Sequence, residues 1–137
     1  DEQANRGENG YICIKANSLS DGEVMEKLIN ASKKGAEIHL YIRGICCIKP
    51  NIPNYTENIE VKSIVGRFLE HARVYMFGKA PGAHLYISSA DLMPRNLCRR
   101  IEMLCPVYDK AVREKLFSIL CGQSAQNRSY AADYSGA

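Results

Sequence analysis

Apolar positions recur along this chain at two periods, and the changes of period fall at glycine, proline and asparagine. Residues 1–10 are polar, with glycine and asparagine prominent, and are expected to form a frayed lead-in. Residues 11–15 form a short apolar strand. A helix follows: Ser20 and Glu23 have the capping-box spacing, and Val24, Met25, Leu28 and Ile29 fall on one face. Gly35 ends that helix, because it tolerates the left-handed backbone found there. From Glu37 to Ile42 the period drops to two, with Ile38, Leu40 and Ile42 on one face and His39, Tyr41 and Arg43 on the other. Strand, helix and strand with short joints make a βαβ unit, so the two strands are expected to lie parallel in one sheet.

Beyond this unit, Pro53 with Asn51, Asn54 and Asn58 marks a loop, and residues 59–65 read as a further strand. Residues 66–70 read as a short turn or helical piece that delivers His71. Strands are expected at 73–77 and 84–88, joined by a compact G-K-A-P-G connection, and another at 99–107, ended near Pro106. Asp109 caps a final helix with Val112, Leu116, Ile119 and Leu120 as its apolar stripe, and Gly122 ends it. The expected division is a lead-in over 1–10, one domain over 11–122 and a polar tail over 123–137. The absence of a start signal reads as a piece of a longer polypeptide.

The chain has 137 residues, 46% hydrophobic and 24% charged, enough for a single core. Its net charge of +3 is too small to argue for nucleic acid. The local pattern says more: Arg95, Arg99 and Arg100 crowd together, with Arg67 and Arg73 nearby, as either a solvated basic face or an anion site. Six cysteines (13, 46, 47, 98, 105 and 121) show no C-x-x-C pair, so core packing in a reduced cytosolic setting is expected, with reactive thiols at Cys46 and Cys47 as the alternative. No apolar run approaches the roughly 18 residues that span a bilayer.

Chemistry concentrates between His71 and Arg100, where a histidine, paired serines, an aspartate and arginines sit at the ends of apolar strands. No nucleotide P-loop, G-x-G-x-x-G or G-x-S-x-G motif is present, and His39, His71 and His84 are too scattered for zinc, so no metal ligands are assigned. His39 and His84 read as structural or exposed. His71 with arginines remains: imidazole can move a proton or attack phosphorus, and guanidinium grips phosphate oxygens through paired N–H groups. Phosphoryl transfer needs little beyond such positioning and charge stabilisation. Arg43, leaving the carboxyl end of the second strand before Gly44, stands where open α/β sheets bind ligands; the alternative is a surface salt bridge.

Three runs, Y-I-R-G-I-C-C-I-K-P, S-I-V-G-R-F-L-E-H-A-R and S-S-A-D-L-M-P-R-N, together with N-S-L at Asn17 to Leu19, resemble the C-terminal domain of bacterial polyphosphate kinase. The resemblance runs from about Tyr11 to the last helix. It implies an α/β fold, a mixed β-sheet flanked by helices, forming the second of two phospholipase D-like halves that share one active site. It also implies reversible transfer of the terminal phosphate of ATP to polyphosphate through a phosphohistidine in the first half, which also holds the Mg2+ ligands. By that resemblance Arg43 binds nucleotide phosphate, His71 is the second essential histidine and Arg100 contacts phosphate, with Arg73 and Asp91 in support. The implied partners are ATP or ADP, polyphosphate and the remaining domains of the same polypeptide, in a homo-oligomer without nucleic acid. The implied location is cytoplasmic, with peripheral membrane association as a variant.

Two departures from the family pattern, Leu92 for a usual tryptophan and Cys98 for a common aspartate, touch packing and no phosphate ligand. Phospholipase D hydrolases instead carry H-x-K with an aspartate after four intervening residues, where this chain has Arg73 and Gly78, and asparagine where it has Asp91. A phosphodiesterase half and a non-catalytic polyanion-binding module are therefore the two alternative readings.

Overall fold

A computed structural model describes residues 1–64 and 71–126, with side-chain surroundings as far as residue 120. The expectations for residues 65–70, including Arg67, and for residues 127–137 lie outside the described residues. The elements are α1 (Glu2–Asn5), a 3-10 turn (Gly7–Asn9), β1 (Tyr11–Ala16), α2 (Gly22–Lys33), β2 (Glu37–Ile42), β3 (Ile59–Ser63), β4 (Arg73–Phe77), β5 (His84–Ser88), α3 (Pro94–Arg99), β6 (Leu104–Pro106) and α4 (Lys110–Gln126).

The six strands form one mixed sheet in the order β3-β2-β1-β4-β5-β6. β1, β2 and β3 run parallel, with Ala16 opposite Ile42 and Ile42 opposite Ser63. β4 returns antiparallel against β1, pairing Lys15 with Val74, and β5 and β6 continue antiparallel. The period-2 pattern divides the strands between two apolar layers. Ile12, Ile14, Ile38, Leu40, Ile42 and Ile59 face α2, whose Leu28 and Ala31 pack there. Cys13, Tyr41, Val74, Met76 and Leu85 face the other way, under Leu116, Phe117 and Leu120 of α4. Burying both faces of a parallel sheet by helices is what lets its strands be apolar on both sides.

Several expectations are corrected. The lead-in is folded: Gln3 and Ala4 are buried, Gln3 accepts from Tyr11 N at 3.2 Å, and a Cβ on Gly10 would stand 2.1 Å from Gln3 O. Glycine there lets α1 lie against the strand. Asp21, not Ser20, caps α2, accepting from Val24 N at 3.0 Å. The strand expected over 99–107 is confined to Leu104–Pro106, and Arg99 instead closes a short helix whose first turn holds Pro94, where its fixed φ and missing N–H cost nothing. α4 passes through Gly122 to Gln126, and Val112 and Ile119 of its expected stripe are 46% and 41% exposed, while Phe117 turns inward. Cys46 packs against the core, but Cys47 and Cys98 are exposed free thiols.

Candidate functional site

The strand directions bring one set of chain ends to one edge of the sheet. β1, β2 and β3 end there, β4 begins there, β5 ends there and β6 begins there. Across that rim lie Arg43, the Asn17–Ser18 turn, His71 with Arg73, Ser89 with Asp91, and residues 100–103. With strands about 4.8 Å apart, the backbones carrying Arg43 and Arg73 stand about 10 Å from each other. His84 lies at the opposite edge, paired with Phe77, and His39 lies within β2, its two ring nitrogens each 2.8 Å from a carboxylate oxygen, of Glu37 and of Glu60. The three histidines are thereby separated, and only His71 reaches the rim.

Asp91 is the hub of this edge. Its carboxylate accepts from Asn17 N at 2.8 Å, Ser18 N at 3.3 Å and Arg73 Nη2 at 3.0 Å. Burial works to raise its pKa, but the Arg73 guanidinium and the two backbone N–H groups outweigh it and hold the carboxyl below the ordinary carboxylate range. Arg73 also donates to His71 O at 3.2 Å, and Lys15 donates to Ala72 O at 3.3 Å, so the two residues before β4 are tied down by their carbonyls. The exposed imidazole of His71 is thus presented from a fixed backbone. Tyr75 donates to Ala90 O at 2.8 Å beneath the hub, and burial, with the nearby Asp91 charge, pushes its phenol well above the usual value.

Arg43 follows β2 directly. Its N–H reaches Ala16 O at 3.3 Å and Gly44 N reaches Asn17 O at 2.7 Å, so the β2 exit is laced to the β1 exit. A Cβ on Gly44 would stand 3.0 Å from Asn17 O, which explains glycine at this close approach. The Arg43 guanidinium meets no acceptor among the described residues and is part-exposed. Arg100, also exposed, faces a second network: Ser89 Oγ donates to Glu102, Asn96 Nδ2 donates to Glu102 at 2.8 Å, and Met103 N donates to Ser89 Oγ at 2.9 Å. The Ser89 and Asn96 hydrogen bonds hold the Glu102 carboxyl below its ordinary value.

The structure therefore brings Arg43, His71, Arg73, Asp91 and Arg100 to one rim and divides their roles. Arg73 is spent on Asp91, whereas Arg43 and Arg100 have guanidinium groups free of protein acceptors. Sequence reasoning missed Asn17, whose backbone receives Asp91, and Glu102, which organises the approach to β6. The lone carboxylate in the basic run R-R-I-E was the available signal for Glu102. Among the described residues no cluster of three or more His, Cys, Asp or Glu side chains is placed to hold a metal ion, and both rim carboxylates are already engaged by protein donors.

A mixed sheet between helices, with a histidine and arginines without protein acceptors along one rim, has the fold of a phospholipase D-like half. The fold likeness is direct: Nuc of Salmonella typhimurium, a phospholipase D family member, superposes with a TM-score of 0.64 at 14% identity, over 91% of this chain and 86% of that one. The chain matches the family described as polyphosphate kinase C-terminal domain 2 over residues 1–133, and it belongs to that family. The polyphosphate kinase of Staphylococcus epidermidis is 52% identical over 120 residues, 88% of this chain and 16% of that protein. The crystal structure of polyphosphate kinase from Porphyromonas gingivalis superposes with a TM-score of 0.85 at 42% identity, over 93% of this chain and 19% of that one. The chain thus spans about a sixth of the length of the curated relative and a fifth of the solved one.

Proposed function

We propose that this chain is the second phosphate-gripping half of a polyphosphate kinase, an ATP:polyphosphate phosphotransferase that moves the terminal phosphate of ATP reversibly onto a polyphosphate chain. The observation that carries this reading is the pair of acceptor-free guanidinium groups, Arg43 and Arg100, on the same rim as His71, within a chain about half identical to polyphosphate kinases. Arg43 and Arg100 would clamp phosphate oxygens, each through a charge-assisted, two-pronged contact. Arg73 and Asp91 support the site without touching phosphate: their ion pair fixes the backbone of His71 and the Asn17–Ser18 turn. His71 positions the migrating phosphate or moves a proton at an imidazole nitrogen.

The phosphohistidine of this reading belongs to another part of a longer polypeptide. So do the ligands of Mg2+, which would screen the charge of the nucleotide phosphates, since the described carboxylates of this rim are engaged. ATP or ADP and polyphosphate are the proposed partners, in the cytoplasm and within a homo-oligomer. The described helices include none long and apolar enough to cross a membrane.

The test compares this chain alone with an intact polyphosphate kinase carrying it. With magnesium and ATP, the intact enzyme should make polyphosphate and the chain alone should make none. Robust synthesis by the chain alone would remove the shared-site reading. In the intact enzyme, His71→Gln should lower synthesis by about 10²–10⁴-fold while circular dichroism of the same variant stays native. Acid-labile phosphate mapped by mass spectrometry to the peptide bearing His71, and nowhere else, would reverse the assignment of roles.

A further inference from the structure

The proposed site uses Arg43 and Arg100 and leaves two neighbouring arginines, Arg95 and Arg99, without a task. Their surroundings set them apart. Among the described residues Arg6 pairs with Glu2 at 2.7 Å, Arg73 pairs with Asp91 at 3.0 Å, and Arg113 donates to the carbonyls of Val107, Pro81 and Ala83. The described arginines whose guanidinium groups meet no acceptor are Arg43, Arg95, Arg99 and Arg100. Arg43 leaves the rim directly, and the other three belong to the segment between β5 and β6, both of whose ends lie at that rim.

Arg95 and Arg99 are both exposed and four residues apart on α3, so they share one side of the helix about 6 Å apart along its axis. Like charges at this spacing destabilise a helix. The carboxylates nearest in sequence do not relieve them: Asp91, four residues before Arg95, is held by Arg73, and Glu102, three residues after Arg99, by Ser89 and Asn96. The helix is nonetheless well held. Asn96, between the two arginines, is buried and bonded to Glu102, and Met93 O accepts from Asn96 N and Leu97 N at 3.0 and 3.1 Å. Two repelling charges on a fixed support, with no internal partner, break a local rule without any gain inside the chain, and such places belong to function.

We propose that Arg95 and Arg99 form a rail for a linear polyphosphate, extending the grip beyond the phosphates held at the rim. This deepens the kinase reading and rests on it. The two charges stand in line along a helix that leads to Arg100. A compact phosphate can meet one of them, whereas an extended anion charged at every repeat can meet both and Arg100 together. Single-stranded nucleic acid is the other extended polyanion, but its sites add aromatic side chains on which bases stack, and α3, P-R-N-L-C-R, has none. The rail therefore selects for chain length: short phosphates gain nothing from it, and longer chains gain contacts and release more counterions.

The experiment measures binding of the 137-residue chain to tripolyphosphate and to a medium-length polyphosphate over a series of salt concentrations. Wild type is compared with Arg95→Gln/Arg99→Gln and Arg95→Lys/Arg99→Lys. Wild type should hold the longer chain more tightly and with the steeper salt dependence. The glutamine variant should lose about tenfold in affinity for the longer chain, with a log–log salt slope shallower by about 1–2, and keep its affinity for tripolyphosphate. The lysine variant should restore most of the loss, since both charges return. Unchanged binding of the longer chain by the glutamine variant overturns the proposal, as does an equal loss for tripolyphosphate. An oligonucleotide of matching charge that binds as tightly, and is lost in the same variant, overturns polyphosphate as the occupant. The kinase reading fails separately, through an intact enzyme that makes no polyphosphate, while the length effect stands or falls on the binding curves alone.

Discussion

Asp91 receives hydrogen bonds from the exits of β1 and the start of β4 while standing just beyond the end of β5, so one side chain holds three chain ends together. Replacing it by asparagine keeps an oxygen for the backbone N–H groups but leaves Arg73, whose side chain is 16% exposed, without its countercharge. Asp91→Asn should therefore cost about 2–3 kcal/mol of unfolding free energy near neutral pH, read from urea denaturation. A loss no larger than that of a surface pair, under about 1 kcal/mol, would show that the ion pair is solvent-screened. Arg43 answers to a different test, because its guanidinium has no protein acceptor. If it grips two phosphate oxygens at once, Arg43→Lys keeps the charge and loses the fork, and in an intact enzyme transition-state stabilisation should fall by about 1–3 kcal/mol, nearly as far as in Arg43→Ala. Near-normal turnover of the lysine variant would reduce Arg43 to a diffuse charge. Arg43 and His71 were legible in sequence because their residue types carry chemistry. Asn17 was not, because its part is played by a backbone N–H that any residue but proline supplies.

Among the elements, the strands were read closely and the helix termini less so. Period-2 alternation in β2 reports burial on a pleated surface, and burial is what the fold uses. The start of α2 was displaced by one residue, since Ser20 and Glu23 offered a capping box while Asp21 supplies the observed cap. Ser20 N and Asp21 N both donate to Leu92 O, and this contact with the loop after β5 sets where the chain turns into the helix. Asp21→Ala should then cost about 1 kcal/mol, and Ser20→Ala only a few tenths, in thermal or urea unfolding. The reverse order would restore the capping box. Of the strand expected over 99–107 only Leu104–Pro106 forms, and Ile101, Met103 and Leu104 are exposed. The apolar residues there are not a record of burial.

For the whole molecule, acid is the most direct probe of the charge network. Glu37, Glu60, Asp91 and Glu102 all have carboxyl groups held below their ordinary values. For Glu37 the His39 hydrogen bond leads; for Glu60 burial opposes and Lys62 with His39 prevails. Depressed folded-state values mean that the stabilisation is fully present above the unfolded values, about 3.9–4.3, and is lost as pH falls through the folded ones. Unfolding free energy should accordingly be flat down to about pH 5 and fall below about pH 4, and urea midpoints across that range should decline less steeply in Asp91→Asn. Equal slopes would place the acid sensitivity elsewhere, since Glu37 and Glu60 are half exposed and screened. The sequence by itself determined the βαβ unit, the strands near 59–63, 73–77 and 84–88 and the candidates Arg43 and His71, because periodicity and residue chemistry are local properties. Tertiary structure alone decided that α1 is part of the fold, that Asp91 joins three chain ends and that Arg73 is committed while Arg43 and Arg100 are not. Those outcomes depend on which groups meet across the sheet, and a hydrogen bond between residues 17 and 91 leaves no mark on the spacing of either.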